Sequence, residues 1–247
     1  VQHINRADSK HIVTLENPIE FLHRDMKSSV TQREIGVDTQ SFKDGLRAAL
    51  RQDPDVIMIG EMRDAETIDT AMKAAETGHL VISTLHTPDA TATVSRIVSM
   101  FPAEEQEIAR LRLSEALHAV ISQRLLPKAD GKGRVAVLEI MVCTGMIRDL
   151  IKDKARTPEI RDYIAEGREQ YGMLTFDQHL MDLVSDGQIT YETALVGASN
   201  PADFELQMRT LRRRSRVVTP VEKKAVEAAA EPQVEGLTDG LSGMMPQ

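Results

Sequence analysis

The chain has 247 residues, 41 % apolar and 28 % charged, with a formal net charge of −8 at pH 7. That suits a soluble globular protein of one large domain or two small ones, and the acidic balance argues against a dedicated nucleic-acid binder. One cysteine, Cys143, excludes an intrachain disulfide and any multi-cysteine metal site; with no membrane-length apolar run and no signal peptide, the expected location is the cytoplasm.

The chain opens on Val1 rather than Met, which suggests a fragment of a longer protein, and residues 1–10 read as the end of a helix and a turn. Residues 11–15 are a short β-prone run that stops at Glu16-Asn17-Pro18, because proline lacks a backbone donor and biases its predecessor away from helix. Residues 21–40 look polar and irregular. Residues 41–52 put Phe42, Leu46, Ala49 and Leu50 on one helical face, with Ser41 and Asp44 as an N-cap pair. Residues 56–59, Val-Ile-Met-Ile, are too few and too β-branched for a helix and show no alternation, so they predict a strand buried on both faces of a parallel sheet.

Residues 64–77 read as a helix stopped by Gly78, residues 79–86 as a third buried strand, and Thr87-Pro88-Asp89 as the start of another helix. That β, α, β, α, β, α order implies an α/β fold built on a parallel sheet. Residues 103–123 then predict one long helix, and short runs at 125–126 and 135–142 predict a hairpin around Asp130-Gly131-Lys132-Gly133. Helical pieces follow at 145–154, 157–167, 175–186, 190–197 and 201–213. The expected organisation is an α/β core over 1–143, a helical subdomain over 144–215 and a disordered tail over 216–247. The basic run at 212–214 suits a solvated helix end.

Ligands in open α/β sheets sit outside the carboxyl ends of the strands. Three predicted strands place polar residues there. The first ends at Glu16, with Glu20 a turn later; the second ends at Gly60-Glu61; the third ends at Ser83, Thr84 and His86, with His79 at its start. Any one of these acids can be a solvated or capping residue, but their convergence suits metal-assisted hydrolysis: one carboxylate holds Mg²⁺ through water, another activates a water, and a histidine contacts phosphate. No G-x-x-x-x-G-K-[ST] phosphate loop occurs in the 247 residues.

The run from Leu50 through Asp53-Pro54-Asp55 and Gly60-Glu61-Met62-Arg63-Asp64 resembles the signature of the secretion ATPase superfamily that drives type II secretion and type IV pili. Ala75-Glu76-Thr77-Gly78-His79 with Thr84-Leu85-His86-Thr87 resembles its His box, and Leu15-Glu16-Asn17-Pro18-Ile19-Glu20 its Asp box. Phe101-Pro102-Ala103-Glu104-Glu105, Ser122-Gln123-Arg124-Leu125 and Leu174-Thr175-Phe176-Asp177 are most similar to the PilT-type retraction ATPases.

The resemblance implies a RecA-like core working as a homo-hexamer, with ATP at subunit interfaces and the family's phosphate loop just upstream of Val1. Glu61 would be the glutamate that activates water. Gly60 stands where other phosphate-loop enzymes carry a metal-holding Asp, so Mg²⁺ would lean on Glu16 and Glu20. His86 and His79 would contact the γ-phosphate, Thr84 would line the same nucleotide site, and Arg63 and Arg33 would be charge partners within it or across an interface. An inner-membrane pilus platform protein and a paralogous accessory ATPase are the implied partners, with the protein cytoplasmic and peripheral at the inner membrane. Two departures stand out. Asn17 replaces the usual Asp, and the retraction motif is altered to Met146-Ile147-Arg148-Asp149-Leu150-Ile151-Lys152-Asp153. The lack of C-x-x-C pairs favours a retraction-type over an assembly-type enzyme. A ring-forming accessory subunit without hydrolysis, PilU-like or a truncated product, and an assembly- or secretion-type ATPase of the same superfamily are the competing expectations.

Overall fold

Four short runs of β-prone residues lie side by side in the computed structural model, which describes residues 1–217. Strands β1 (His11–Glu16), β2 (Ser29–Glu34), β3 (Val56–Ile59) and β4 (Leu80–Ser83) form one sheet in the order β2-β1-β3-β4. All three pairings are parallel, as the alternation of strands and helices predicts. The register sets Glu16 beside Glu34, Leu15 beside Ile59, and Ile59 beside Ser83. The carboxyl ends of all four strands therefore share one edge of the sheet.

Helices α2 (Phe42–Ala49) and α3 (Ala65–Glu76) pack on one face, where Leu15, Ile57 and Ile59 meet Leu46, Ala71 and Ala74. Each such fully buried Leu or Ile is worth roughly 1.5–3 kcal/mol over an exposed one, as an upper bound. Local signals set the ends. Ser41 Oγ accepts from Asp44 N at 3.1 Å to start α2, Asp64 Oδ1 accepts from Thr67 N at 2.8 Å to start α3, and Gly78 stops α3 at φ 99°. The opening residues form α1 (Gln2–Ala7).

A second core lies between α4 (Ala90–Ser99), α5 (Gln106–Ala116), α6 (Gly145–Lys152) and α7 (Ile160–Glu166), where Val94, Ile97, Leu113, Ile147, Leu150 and Ile164 are buried together with Ile68 of α3. The hairpin of β5 (Ala119–Pro127) and β6 (Arg134–Val142) adds Met141 to it, and the short helices α8 (Arg168–Tyr171), α9 (Phe176–Ser185) and α10 (Tyr191–Gly197) follow. Residues 1–199 form one compact unit, so the boundary expected at 143–144 falls inside it. The second unit starts at Asn200, which caps α11 (Pro201–Val217) through Asp203 N at 3.4 Å. The tail expected over 216–247 lies outside the described residues beyond Val217. No helix among the described residues is long and apolar enough to cross a membrane.

Three expectations are corrected. The segment read as irregular over 21–40 contains β2, whose Gln32, Arg33 and Glu34 give no apolar alternation although their backbone pairs along β1. The long helix read over 103–123 is a 3₁₀ turn and then α5, which ends at Ala116. From Ala119 the β-branched Val120 and Ile121 join a nine-residue strand that pairs residue for residue with β6. The strand read as buried over 79–86 spans only Leu80–Ser83 at the sheet edge, with Leu80 48 % exposed.

Candidate active site

β3 delivers Gly60 and Glu61 to the carboxyl edge of the sheet. A side chain at Gly60 would meet Leu15 O at 3.2 Å and Glu16 Cα at 3.6 Å, so glycine lets the ends of β1 and β3 close up, and Gly60 N donates to Leu15 O at 2.7 Å. Two bonds then lock the loops after β3 and β4 together. Thr84 Oγ1 donates to Gly60 O at 2.5 Å, and Met62 N donates to Thr84 O at 3.3 Å. Glu61 is held between them with its side chain 16 % exposed.

The Glu61 carboxylate faces a guanidinium and an imidazole. Arg63, two residues on and 70 % exposed, pairs with Oε1, and His86 Nε2 stands 3.7 Å from Oε2. The hydrogen bond and charge of Arg63, with a smaller contribution from His86, hold the Glu61 carboxyl below its ordinary range despite partial burial. It is an ionised acceptor at neutral pH, sheltered on one side and open towards the loop that carries His86.

Glu16 reaches the same edge from β1, where Oε1 accepts from Thr14 Oγ1 at 2.6 Å and from Gln32 Nε2 at 3.0 Å. Glu34 at the end of β2 accepts from Ile19 N at 3.1 Å and so pins the Asn17-Pro18-Ile19 turn. Glu20 is exposed just after that turn. The described residues include no group of three or more His, Cys, Asp or Glu that could hold a metal. This donor set fits Mg²⁺ held by one or two carboxylates, water and substrate phosphate, and not an all-protein cage.

The edge thus gathers Glu16, Glu61, Arg63, Thr84 and His86. It does not gather His79, which sits at the amino end of β4; with about 3.3 Å of rise per residue, Thr84 lies roughly 16 Å further along. His79 Nδ1 is 2.9 Å from Ala74 O and 3.1 Å from Thr77 Oγ1, closing the end of α3. Arg33 stands opposite Leu15 on β2, on the sheet face turned towards α2 and away from the Thr14, Glu16 and Gln32 cluster. The sequence alone gave no role to Thr14, nor to Gln32 and Glu34, which lie on the strand β2 that was not legible. Ser83, one residue before Thr84, has a buried hydroxyl without a partner among the described residues.

Residues 1–132 match the family described as Type II/IV secretion system protein. The chain belongs to that family. Among secretion-family proteins it is 50 % identical over 200 residues to a twitching motility protein of Neisseria gonorrhoeae, covering 81 % of this chain and 53 % of the relative. It is 44 % identical over 205 residues to the type IV pilus ATPase PilU of Pseudomonas aeruginosa, covering 83 % and 53 %. A crystal structure of the pilus retraction motor PilT with bound ADP superimposes with a TM-score of 0.73 at 47 % identity, covering 83 % of this chain and 57 % of that one. The α/β fold with its parallel sheet is therefore the fold of the secretion family's PilT ATPase. The chain spans about half the length of the curated relatives it matches.

Proposed function

We propose that the protein carrying this chain is an ATP-hydrolysing ring motor that powers type IV pilus retraction. The observation that carries the reading is the Glu61–His86 pair at the carboxyl edge of the sheet, in a chain about half identical to a twitching motility protein. Phosphoryl transfer to water is mostly positioning and electrostatics, and these residues suit both tasks. Glu61, held ionised, orients the attacking water and accepts its proton. His86 and Thr84 sit where a γ-phosphate oxygen arrives, and Arg63, being exposed, can exchange the carboxylate for a phosphate oxygen. Glu16 at this edge, and Glu20 in the exposed turn after it, would hold Mg²⁺, which would supply charge neutralisation at the phosphates when bound. Arg33, on the sheet face opposite Glu16 and Gln32, suits contact with a neighbouring subunit.

A homo-hexamer with ATP at its interfaces, an inner-membrane platform partner and a cytoplasmic, membrane-peripheral location complete the reading, supported by the likeness to PilT. An accessory role is the second reading, favoured by the 44 % identity to PilU and by the altered motif on α6. Steady-state ATPase assays on the purified full-length protein, with Glu61→Gln alongside, separate the two. Turnover that Glu61→Gln abolishes while ATP binding persists supports the motor. A full-length protein that forms rings without turnover supports the accessory reading, and a Glu61→Gln rate within threefold of wild type removes Glu61 from catalysis.

A further inference from the structure

Two sequence motifs remain without a role in that reading, Ser122-Gln123-Arg124-Leu125 on β5 and Leu174-Thr175-Phe176-Asp177 at the start of α9. The fold brings them together. The Arg124 guanidinium lies over the Phe176 ring at 3.9 Å and donates to Gly197 O at 3.2 Å. Asp177, almost buried, pairs with Arg161 of α7 at 2.6 Å and accepts from Ser199 N at 2.7 Å. Beside them, on the neighbouring strand β6, is a carboxylate that neither motif contains: Glu139, 5 % exposed.

Glu139 Oε1 accepts from Ala90 N at 2.8 Å. Ala90 is the first residue of α4, and the four residues before it, His86-Thr87-Pro88-Asp89, are the loop that presents His86 to Glu61. Asp89 caps the same helix through Ala92 N at 2.7 Å, and Thr93 ties the loop back through Asp89 O at 2.8 Å and Thr87 Oγ1 at 2.7 Å. A buried carboxylate is costly unless its acceptor sites are used. The groups that face Glu139 are Asp89 from the α4 cap, Arg124 from β5 and Arg161 from α7. Burial raises its carboxyl above the ordinary range and Asp89 adds to this, while the Ala90 hydrogen bond and the two guanidiniums pull the other way.

We propose that Glu139 is a positioning residue that fixes the His86 loop through Ala90 N, and that Arg124 with Phe176, and Arg161 with Asp177, hold Glu139 from the helical side. The hairpin and the helices that follow it thereby reach the nucleotide edge through this hydrogen bond as well as through the core they share with α4. The inference rests on the reading of His86 as a phosphate contact, and one of its readouts does not.

That readout is amide hydrogen exchange in the full-length protein, compared between peptides spanning 84–92 and 56–60. Glu139→Ala is expected to speed exchange in the first at least tenfold and leave the second unchanged. Glu139→Gln, which keeps an acceptor of the same reach, is expected to stay near wild type. Glu139→Asp, which keeps the charge but withdraws the acceptor by a methylene, is expected to behave like Ala and serves in its place if Ala does not fold. ATP turnover supplies the second readout. The Ala and Asp variants are expected to lower kcat about tenfold with KM within twofold, and to add less than twofold in a His86→Ala background, since residues acting through one another are not additive. Unchanged exchange at 84–92, equal acceleration in both peptides, loss with Gln but not Asp, or an additive double variant overturns the proposal. Absent turnover in the wild type sinks the motor reading alone, and the exchange result still decides the role of Glu139.

Discussion

The two edges of the parallel sheet carry similar residue types and use them in opposite ways. At the amino edge, Asp55 accepts from Lys10 Nζ at 3.0 Å and from His11 N at 2.8 Å, His11 Nδ1 lies 3.1 Å from Gln52 O, and His79 closes α3. A cleft of about 460 Å³ opens there, lined by Ile4, Asp8, Lys10, Asp55 and His79 among others, yet its Asp55 is engaged by Lys10 and the His11 backbone and its His79 by the end of α3. At the carboxyl edge the acid and the histidine instead face each other across two loops, 3.7 Å apart, with Arg63 paired to the acid. A cavity shows where a molecule can sit; groups held by strand ends and aimed at one another show where chemistry can occur.

The largest test of that contrast is Glu61→Gln, expected to lower kcat of the full-length protein at least about 100-fold, the scale of a lost general base, with ATP affinity within threefold. Next comes the pair of histidines. His86→Ala is expected to lower kcat by at least tenfold, whereas His79→Ala is expected to leave kcat within threefold and cost about 1 kcal/mol of stability through its lost bond to Ala74 O. Equal kinetic effects of the two substitutions would erase the distinction between the edges. Kinetics and thermal melts on the same preparations decide it.

Those histidines also show what was legible in the residues themselves. Glu61 and His86 were readable because each follows an apolar run whose end is fixed by strand period, and parallel strands bring such ends together. His79 belongs to the same motif, but the motif spans a whole strand, so its two histidines lie at opposite edges. Residues that act through backbone were the hardest to find. Glu139 is one alternating position in a hairpin, and nothing local to β6 foretells that Ala90, 49 positions away, needs its oxygen. Gln32 was hidden for a related reason: the side chains of β2 carry no apolar period, so neither its backbone pairing along β1 nor the Gln32–Glu16 bond could be foreseen. The β5 boundary was misplaced because Val120 falls by coincidence at helical spacing from α5.

A smaller effect is expected at Gly60. Alanine there would bring Cβ within 3.2 Å of Leu15 O, tighter than an ordinary contact, so the ends of β1 and β3 must part. Gly60→Ala is expected to cost about 1–3 kcal/mol in chemical denaturation, the range for overpacking, and to loosen Glu61 from His86. Stability lost without loss of turnover would mean that the close approach of the two strand ends serves packing alone.

The smallest expected effect belongs to the amino edge and has a sign that pH fixes. The His11 backbone hydrogen bond and the Lys10 ammonium lower the Asp55 carboxyl below its ordinary 3.8. A depressed carboxyl stabilises the fold fully above the unfolded value and loses that contribution as pH falls through the folded one. The stabilisation from Asp55 is therefore constant at neutral pH and fades only below about 3.8. Asp55→Asn should melt slightly below wild type at pH 7, by the same margin at pH 5, and with a shrinking margin under pH 3.8. At every pH it should leave turnover at its wild-type value, because Asp55 is a whole strand away from Glu61. A fall in kcat on this substitution, larger than its fall in melting temperature can explain, would mean that the cleft at the amino edge takes part in the reaction after all.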